Sequence, residues 1–325
     1  MNNMVYVSPL DQVQLGTESV WGTSVAATSK LGLIDNISID AEVDTELLKD
    51  IRGSLAPGHV AVLNAHKGSA VINGTPTYED MPYVLDSLME TATPGAATTY
   101  IRDYTGQLAS APTRSKYTVY KGQSGKVQKL TGGIFTEYGI KIETNKPWEF
   151  TGKLIGNKVA DGSLASLSDR TQTPIHANNT TVYIDAMGGT IGTTAITTIL
   201  FSLDMQIKNG VNTVAGINSM YPQTYADGRA DFSLKMKMAV DSDTAGYLTS
   251  ILGTSLLQKL IRVKATTGAA QIAQYDIGAY FMSSPKINTD QDGVSTFDFE
   301  LGSIYNVTLG NWLKASVTNS ISVMP

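Results

Sequence analysis

The sequence KIETN at residues 141–145 returns as KINTD at residues 286–290. Each copy leads into an aromatic and acidic segment, WEF at 148–150 and FDF at 297–299. These segments alternate apolar and polar side chains, which is typical of half-buried β-strands. Motifs that recur in the same order indicate an internal duplication, so we expect the fold to be built from two similar units.

A second pair of matching segments lies upstream, YVLDSLM at 83–89 and GYLTSIL at 246–252. Their apolar stripes predict two short helices. The first begins near Asp80, a candidate N-cap, with Pro82 in its first turn, and the second spans 241–253. The helix segment and the KIETN motif lie further apart in the first copy than their counterparts do in the second. Residues 94–123 are therefore predicted to hold an insertion.

The composition narrows the class of protein. The chain has 325 residues, 30 glycines, no cysteine and a net charge of -5, with 16% charged residues. Nucleic-acid binding through a basic surface is not favoured, because binding to phosphate needs clustered Lys and Arg. Disulfides and thiolate chemistry are excluded. Neither a signal peptide nor a run of 18 apolar residues is visible. We therefore expect no transmembrane helix and expect the protein to fold in a cytoplasm.

The predicted fold class is mainly β, with two tandem β-sandwich or barrel-like domains that each pack one short α-helix. The first domain is predicted over residues 1–160 and the second over 181–325. Residues 161–180 are small, polar and without periodicity, as expected of a linker.

Each half also contains a long irregular segment before its helix, at 44–67 and at 209–229. Loops of this length are uncommon unless they have a function. We interpret them as arms that contact a neighbouring subunit, and a mobile surface hairpin is the alternative. The suspected contact residues in them are Lys49, Asp50, Arg52, Tyr221 and Tyr225.

Motifs that carry chemistry are scarce. The three histidines, His59, His66 and His176, do not have metal-ligand spacing and are interpreted as surface or turn residues. Residues 288–293 resemble the start of a calcium loop but lack its later glutamate, so a hairpin turn is favoured. No enzyme, metal or cofactor is predicted.

The run GTESVWGT at residues 16–23 resembles the opening signature of tail tube proteins, the major tail proteins of long-tailed bacteriophages, here in a duplicated two-domain form. The resemblance implies β-sandwich domains that join their sheets around a ring. Rings would stack into a hollow conduit through which genomic DNA passes into the host. The implied partners are the chain itself and other tail proteins, and DNA would not be bound specifically. The implied location is the virion tail, after assembly in the host cytoplasm.

Two domains per chain predict a ring of three chains, with a ring of six chains as the alternative.

Trp21 in the signature is either an anchor at a subunit contact or a core tryptophan. Asp298 and Glu300 lie on the polar face of a predicted strand and are suspected to line the bore. Lys235 and Lys237 would then pair with neighbours or lie away from it.

Two other functions remain open. A β-sandwich adhesin or carbohydrate-binding module would expose an aromatic platform, for which Tyr221 and Tyr225 are the candidates. A glycoside hydrolase would use Asp298 and Glu300 as its paired carboxylates, and it is the less favoured of the two.

Overall fold

The computed structural model describes residues 8–49, 60–95, 99–242, 244, 246–247, 257–282, 286–291 and 293–324. The described chain is mainly β, as predicted. The strands of the first half are β1 (Gln12–Glu18), β2 (Ser29–Leu31), β3 (Ile34–Leu48), β4 (Val60–Gly74), β5 (Tyr100–Thr105), β6 (Lys116–Gln123), β7 (Lys126–Glu143), β8 (Glu149–Gly156) and β9 (Lys158–Asp161). The strands of the second half are β10 (Thr180–Ala186), β11 (Leu200–Lys208), β12 (Asn212–Val214), β13 (Thr224–Ala226), β14 (Asp231–Ala239), β15 (Gln258–Gly268), β16 (Gln271–Phe281), β17 (Lys286–Gln291), β18 (Val294–Ser303) and β19 (Leu313–Asn319). Short 3-10 helices span Ser8–Leu10 and Ala177–Asn179.

The first predicted helix is confirmed as α1 (Met81–Leu88), with Pro82 in its first turn. Asp80 is its N-cap by position, but its carboxylate makes no capping hydrogen bond, contrary to the expectation. The carboxylate instead accepts from Arg170 at 2.5 Å and from Gln172 at 2.9 Å, because a charged partner outcompetes the helix N–H groups. The second predicted helix, over 241–253, lies mostly outside the described residues.

The strands of the first half pair in two antiparallel series that share β7. One series is β2–β1–β6–β7–β9, and the other is β3–β4–β8–β7. Strand β7 takes part in both because its 18 residues pair with β6 and β9 near the start and with β8 towards the end. The helix α1 is fully buried between these layers.

The strands of the second half repeat this pairing order. One series runs β10–β15–β16–β19, and the other runs β11–β14–β18–β17, with β16 also pairing with β18. The KINTD copy lies in β17, which pairs with β18 as far as Gln291 and Val294, in agreement with the hairpin predicted at 288–293.

Strand β5 lies within the predicted insertion at 94–123 and crosses to the other half. It pairs antiparallel with β19 from Tyr100–Asn319 to Thr105–Lys314. The insertion therefore gives the second half an additional edge strand.

A continuous sheet joins the halves. The end of β7 pairs antiparallel with β11, from Glu143–Ser202 to Glu137–Lys208. The two four-strand series thus become one sheet of eight strands in the order β3–β4–β8–β7–β11–β14–β18–β17, which we call the joined sheet.

One face of the joined sheet packs on the interior. Alternate residues such as Ile140, Met205 and Phe299 are buried there, and the buried cluster is contiguous across both halves. Residues 161–180, predicted as a linker, lie along the first half. Arg170 of this segment pairs with Asp80, and the backbone of Ile175 is hydrogen-bonded to Pro76 and Trp148.

Candidate assembly surfaces

The other face of the joined sheet is polar and carries charges of alternating sign. Across five adjacent strands the residues in register are Glu149, Lys141, Asp204, Lys235 and Glu300. Opposite charges directly across a ladder attract, so each lysine in this row lies between two acids.

Several of these charges form ion pairs. Lys235 Nζ lies 3.5 Å from Glu300 Oε1. Glu143 accepts from both Lys141 and Lys146 at 2.5 Å, and these hydrogen bonds lower the pKa of Glu143 to about 2. Two rows further along the same face, Glu137 lies between Lys153 at 2.9 Å and Lys208 at 3.9 Å. The face therefore presents paired charges rather than a field of one sign.

The suspected bore residues Asp298 and Glu300 both lie half-exposed on this face. Lys235 pairs with Glu300, which agrees with the expectation that these lysines find partners. Lys237 lies in register with Asp298.

The outermost strands of the joined sheet are β3 and β17. Within the described residues, β3 pairs only with β4, and β17 pairs only with β18. Each strand therefore presents one edge of backbone N–H and C=O groups without a strand partner, and such edges favour pairing with another chain.

The prediction that 44–67 is irregular was wrong for its described ends, because 44–48 and 60–67 are paired strand residues of β3 and β4. This β3–β4 hairpin extends beyond the sheet as an arm. Every residue from 41 to 49 is exposed, and a strand of this length reaches about 25 Å. Large apolar side chains lie on this arm and are 43 to 52% exposed: Val43, Leu47, Leu48, Val60 and Leu63. Lys49 is exposed near the arm's end, whereas Asp50 and Arg52 lie outside the described residues.

The second long segment, 209–229, is docked on the first half, and we call it the clasp. It contains the small hairpin β12–β13. Asp227 of the clasp forms a buried ion pair with Arg114, with 2.9 Å between Oδ1 and Nε. Arg114 also donates to the carbonyls of Leu88 and Met89 at the end of α1. No local sequence signal connects these residues, and the sequence-based interpretation missed them.

The clasp also contacts the region around β9. The Asn157 amide donates to the Pro222 carbonyl at 2.6 Å. Lys158 Nζ lies 5.0 Å from the centre of the Tyr221 ring, and His66 packs edge-on against the same ring at 5.4 Å.

The suspected contact residues Trp21, Tyr221 and Tyr225 all lie where the clasp meets the first half. Trp21 and Tyr225 pack in a T-shaped arrangement at 6.0 Å, and Tyr221 has the separate partners His66 and Lys158. Both tyrosines are half-buried in these contacts, an arrangement that does not favour an exposed sugar-binding platform.

The signature at 16–23 organises a turn around a buried carboxylate. Glu18 accepts from the backbone N–H groups of Gly22 and Gly132 and from the Thr118 hydroxyl, at 2.6 to 2.9 Å. Half-buried Trp21 donates to the Gly132 carbonyl at 2.7 Å. Gly132 has a φ of 66°, and a Cβ there would lie 2.7 Å from the Trp21 indole nitrogen, so glycine is required.

The second half contains a comparable turn at residues 192–194, to which the sequence interpretation gave no role. Asp185 accepts from Gly192 N–H at 2.6 Å, from the Thr193 hydroxyl at 2.6 Å and from Thr194 N–H at 2.8 Å. Desolvation is the largest influence and acts to raise the pKa of Asp185, but together the hydrogen bonds lower that pKa to about 2. A sequence signal existed in the recurrent Gly-Thr, but the acidic residue is Asp instead of Glu and no tryptophan accompanies it.

The described residues contain no group of three or more His, Asp or Glu side chains suited to hold a metal ion. His176 accepts from Asn178 N–H at the start of a 3-10 helix, as expected of a turn histidine. No helix in the described part of the chain is long and apolar enough to cross a membrane.

The sequence also matches the model of a known protein family. The family model described as phage tail tube protein matches residues 11–302, which is nearly the whole chain. No curated protein matches the sequence significantly.

Proposed function

This chain belongs to the phage tail tube protein family, and we propose that it forms rings that stack into a hollow tail tube for DNA passage into the host. We also propose that the tube assembles in the host cytoplasm and that other tail proteins are further partners. The observation that carries it is the joined sheet, in which two halves already pair edge to edge and leave β3 and β17 outermost.

Unpaired edges explain why the chain would polymerise. Head-to-tail pairing of β17 with β3 of the next chain gives every strand of the joined sheet two neighbours once the ring closes. The repeated pairing order supports a division into two tube domains, over 1–160 and 181–325, with the segment 161–180 between them.

The size of the sheet favours three chains. At about 4.8 Å per strand, three joined sheets give a circumference of roughly 115 Å and a backbone-to-backbone diameter of roughly 37 Å. Two chains would give roughly 24 Å, which side chains from opposite walls would largely fill. Six chains would give roughly 73 Å, far wider than one duplex requires.

The polar face of the joined sheet is assigned to the bore, because its opposite face is committed to the core. Asp298 and Glu300 then line the conduit. Because the lysines are paired with acids, few unpaired cations are available to bind phosphate. The wall therefore attracts a DNA duplex only weakly.

Electron microscopy of the purified protein tests this function. Rings or hollow tubes with three chains per ring are expected at high concentration, and mass measurement of isolated rings distinguishes three chains from six. A chain that stays monomeric at every concentration would overturn the proposal and favour the adhesin instead.

A further inference from the structure

We infer that the contact between neighbouring chains in the ring repeats the contact between the halves of one chain, with the arm of one copy docked beside Tyr305 and Val307 of the next. This inference rests on the proposed ring. It adds which surfaces meet and which copy receives the arm.

The first step is the equivalence of arm and clasp. The clasp lies between β11 and β14, the first two strands of the second-half series, and the arm lies between β3 and β4, the first two of the first-half series. The clasp is docked on the half that supplies β7, the strand with which β11 pairs. The arm has the same relation to whichever copy supplies a partner for β3.

The second step identifies the receiving surface. The clasp is received at the connection between β8 and β9, where Asn157 hydrogen-bonds Pro222 and Lys158 lies over the Tyr221 ring. The corresponding connection in the second half lies between β18 and β19, at residues 304–312, and it contains Tyr305 and Val307. Val307 and its neighbours therefore occupy the position in the second half that receives the clasp in the first.

The third step is chemical complementarity. Val307 is 84% exposed and Tyr305 is 53% exposed. The arm presents the apolar side chains of Val43, Leu47 and Leu63, which are also exposed. Burial of apolar surface is favourable, and both the arm and the connection at 304–312 expose apolar side chains. A contact like that between the clasp and the first half would bring these side chains together. A second copy of this chain is therefore the occupant we assign.

Cysteine cross-linking tests the contact directly, because the chain has no native cysteine. Assembled protein carrying Val307→Cys together with Leu47→Cys or Leu63→Cys is oxidised and run on a denaturing gel without reductant. We expect a ladder that ends at the covalent trimer. The control pairs the same arm cysteine with Ile199→Cys, which is also exposed but lies beside Ala239 near the start of β18, away from the connection at 304–312, and it should stay monomeric on the gel.

A second variant asks whether the contact supports ring closure. Val307→Asp should raise the protein concentration needed for ring assembly at least tenfold, so that monomers replace rings. Val323→Asp, at another exposed valine, should leave that concentration unchanged. Circular dichroism of both variants verifies that the monomer is folded.

The outcomes separate this inference from the proposed function. If the wild type forms no rings, the proposed function fails. If the wild type forms rings but neither cross-link nor Val307→Asp has an effect, only the docking inference is overturned. If Val307→Asp gives normal single rings that no longer stack, the arm acts between rings, and the in-ring contact is wrong.

Discussion

Arg114 and Asp227 form a buried ion pair although 113 positions separate them in the sequence. The Arg114 side chain is 1% exposed and that of Asp227 is 10% exposed. The same guanidinium donates to carbonyls at the end of α1, so one side chain connects the helix of the first half to the clasp of the second. The junction between the halves therefore depends on a charge that is held out of water.

We predict that Arg114→Ala lowers the free energy of unfolding by about 3 to 5 kcal/mol, because Asp227 is left buried without its partner. Urea unfolding followed by circular dichroism measures the change. Lys235→Ala is the matched control, since its exposed pair with Glu300 is worth at most about 1 kcal/mol. Equal losses in the two variants would contradict the assigned role of Arg114.

A buried carboxyl should make the protein less stable as pH rises. Burial of Asp86 is the main cause that raises its pKa from 3.8 to about 6. Between these values the folded protein holds a proton that the unfolded chain has released, so the contribution of Asp86 to stability falls as pH rises through this window. We expect Asp86→Asn to gain stability relative to wild type from pH 4 to pH 7, by on the order of 2 kcal/mol. A difference between the two that does not change with pH would refute this.

Asp185 should show the opposite sign. Its pKa falls from 3.8 to about 2 in the folded protein, so its stabilisation is present above pH 3.8 and is lost as pH falls towards 2. Asp185→Asn should cost on the order of 2 kcal/mol at neutral pH and progressively less in acid. Asp161→Asn at an exposed position serves as the control. The prediction fails if the cost is the same at pH 3 and at pH 7.

Charge reversal in the proposed bore should slow DNA passage. Asp298→Lys with Glu300→Lys places two new cations beside Lys235 and Lys237, and unpaired cations bind phosphate. Particles that carry the double variant should eject DNA more slowly, and added salt should restore the rate because it screens this attraction. Reversal of exposed Asp103 on β5 is the control, and an unchanged ejection rate in the double variant would remove these residues from the lining.

Local patterns predicted local structure well. The alternation around residues 148–150 and 297–299 appears in β8 and β18, and the stripe at 83–89 lies in α1 and its C-cap residue. Asp80 shows the limit of such patterns. It was placed correctly at the helix start, but its carboxylate is engaged by Arg170, which lies in the segment predicted as a linker.

The sequence alone determined strands with clear alternation such as β8 and β18, the first helix and the recurrence of motifs, because these follow from side-chain period and backbone preference over a few residues. The tertiary structure decided that β7 pairs with β11, that β5 crosses to the second half and that the clasp is fixed by Arg114 and Asp227. Those contacts join residues far apart in the chain. Their free energy comes from burial and from the pairing of desolvated charges, and both exist only when the chain has folded.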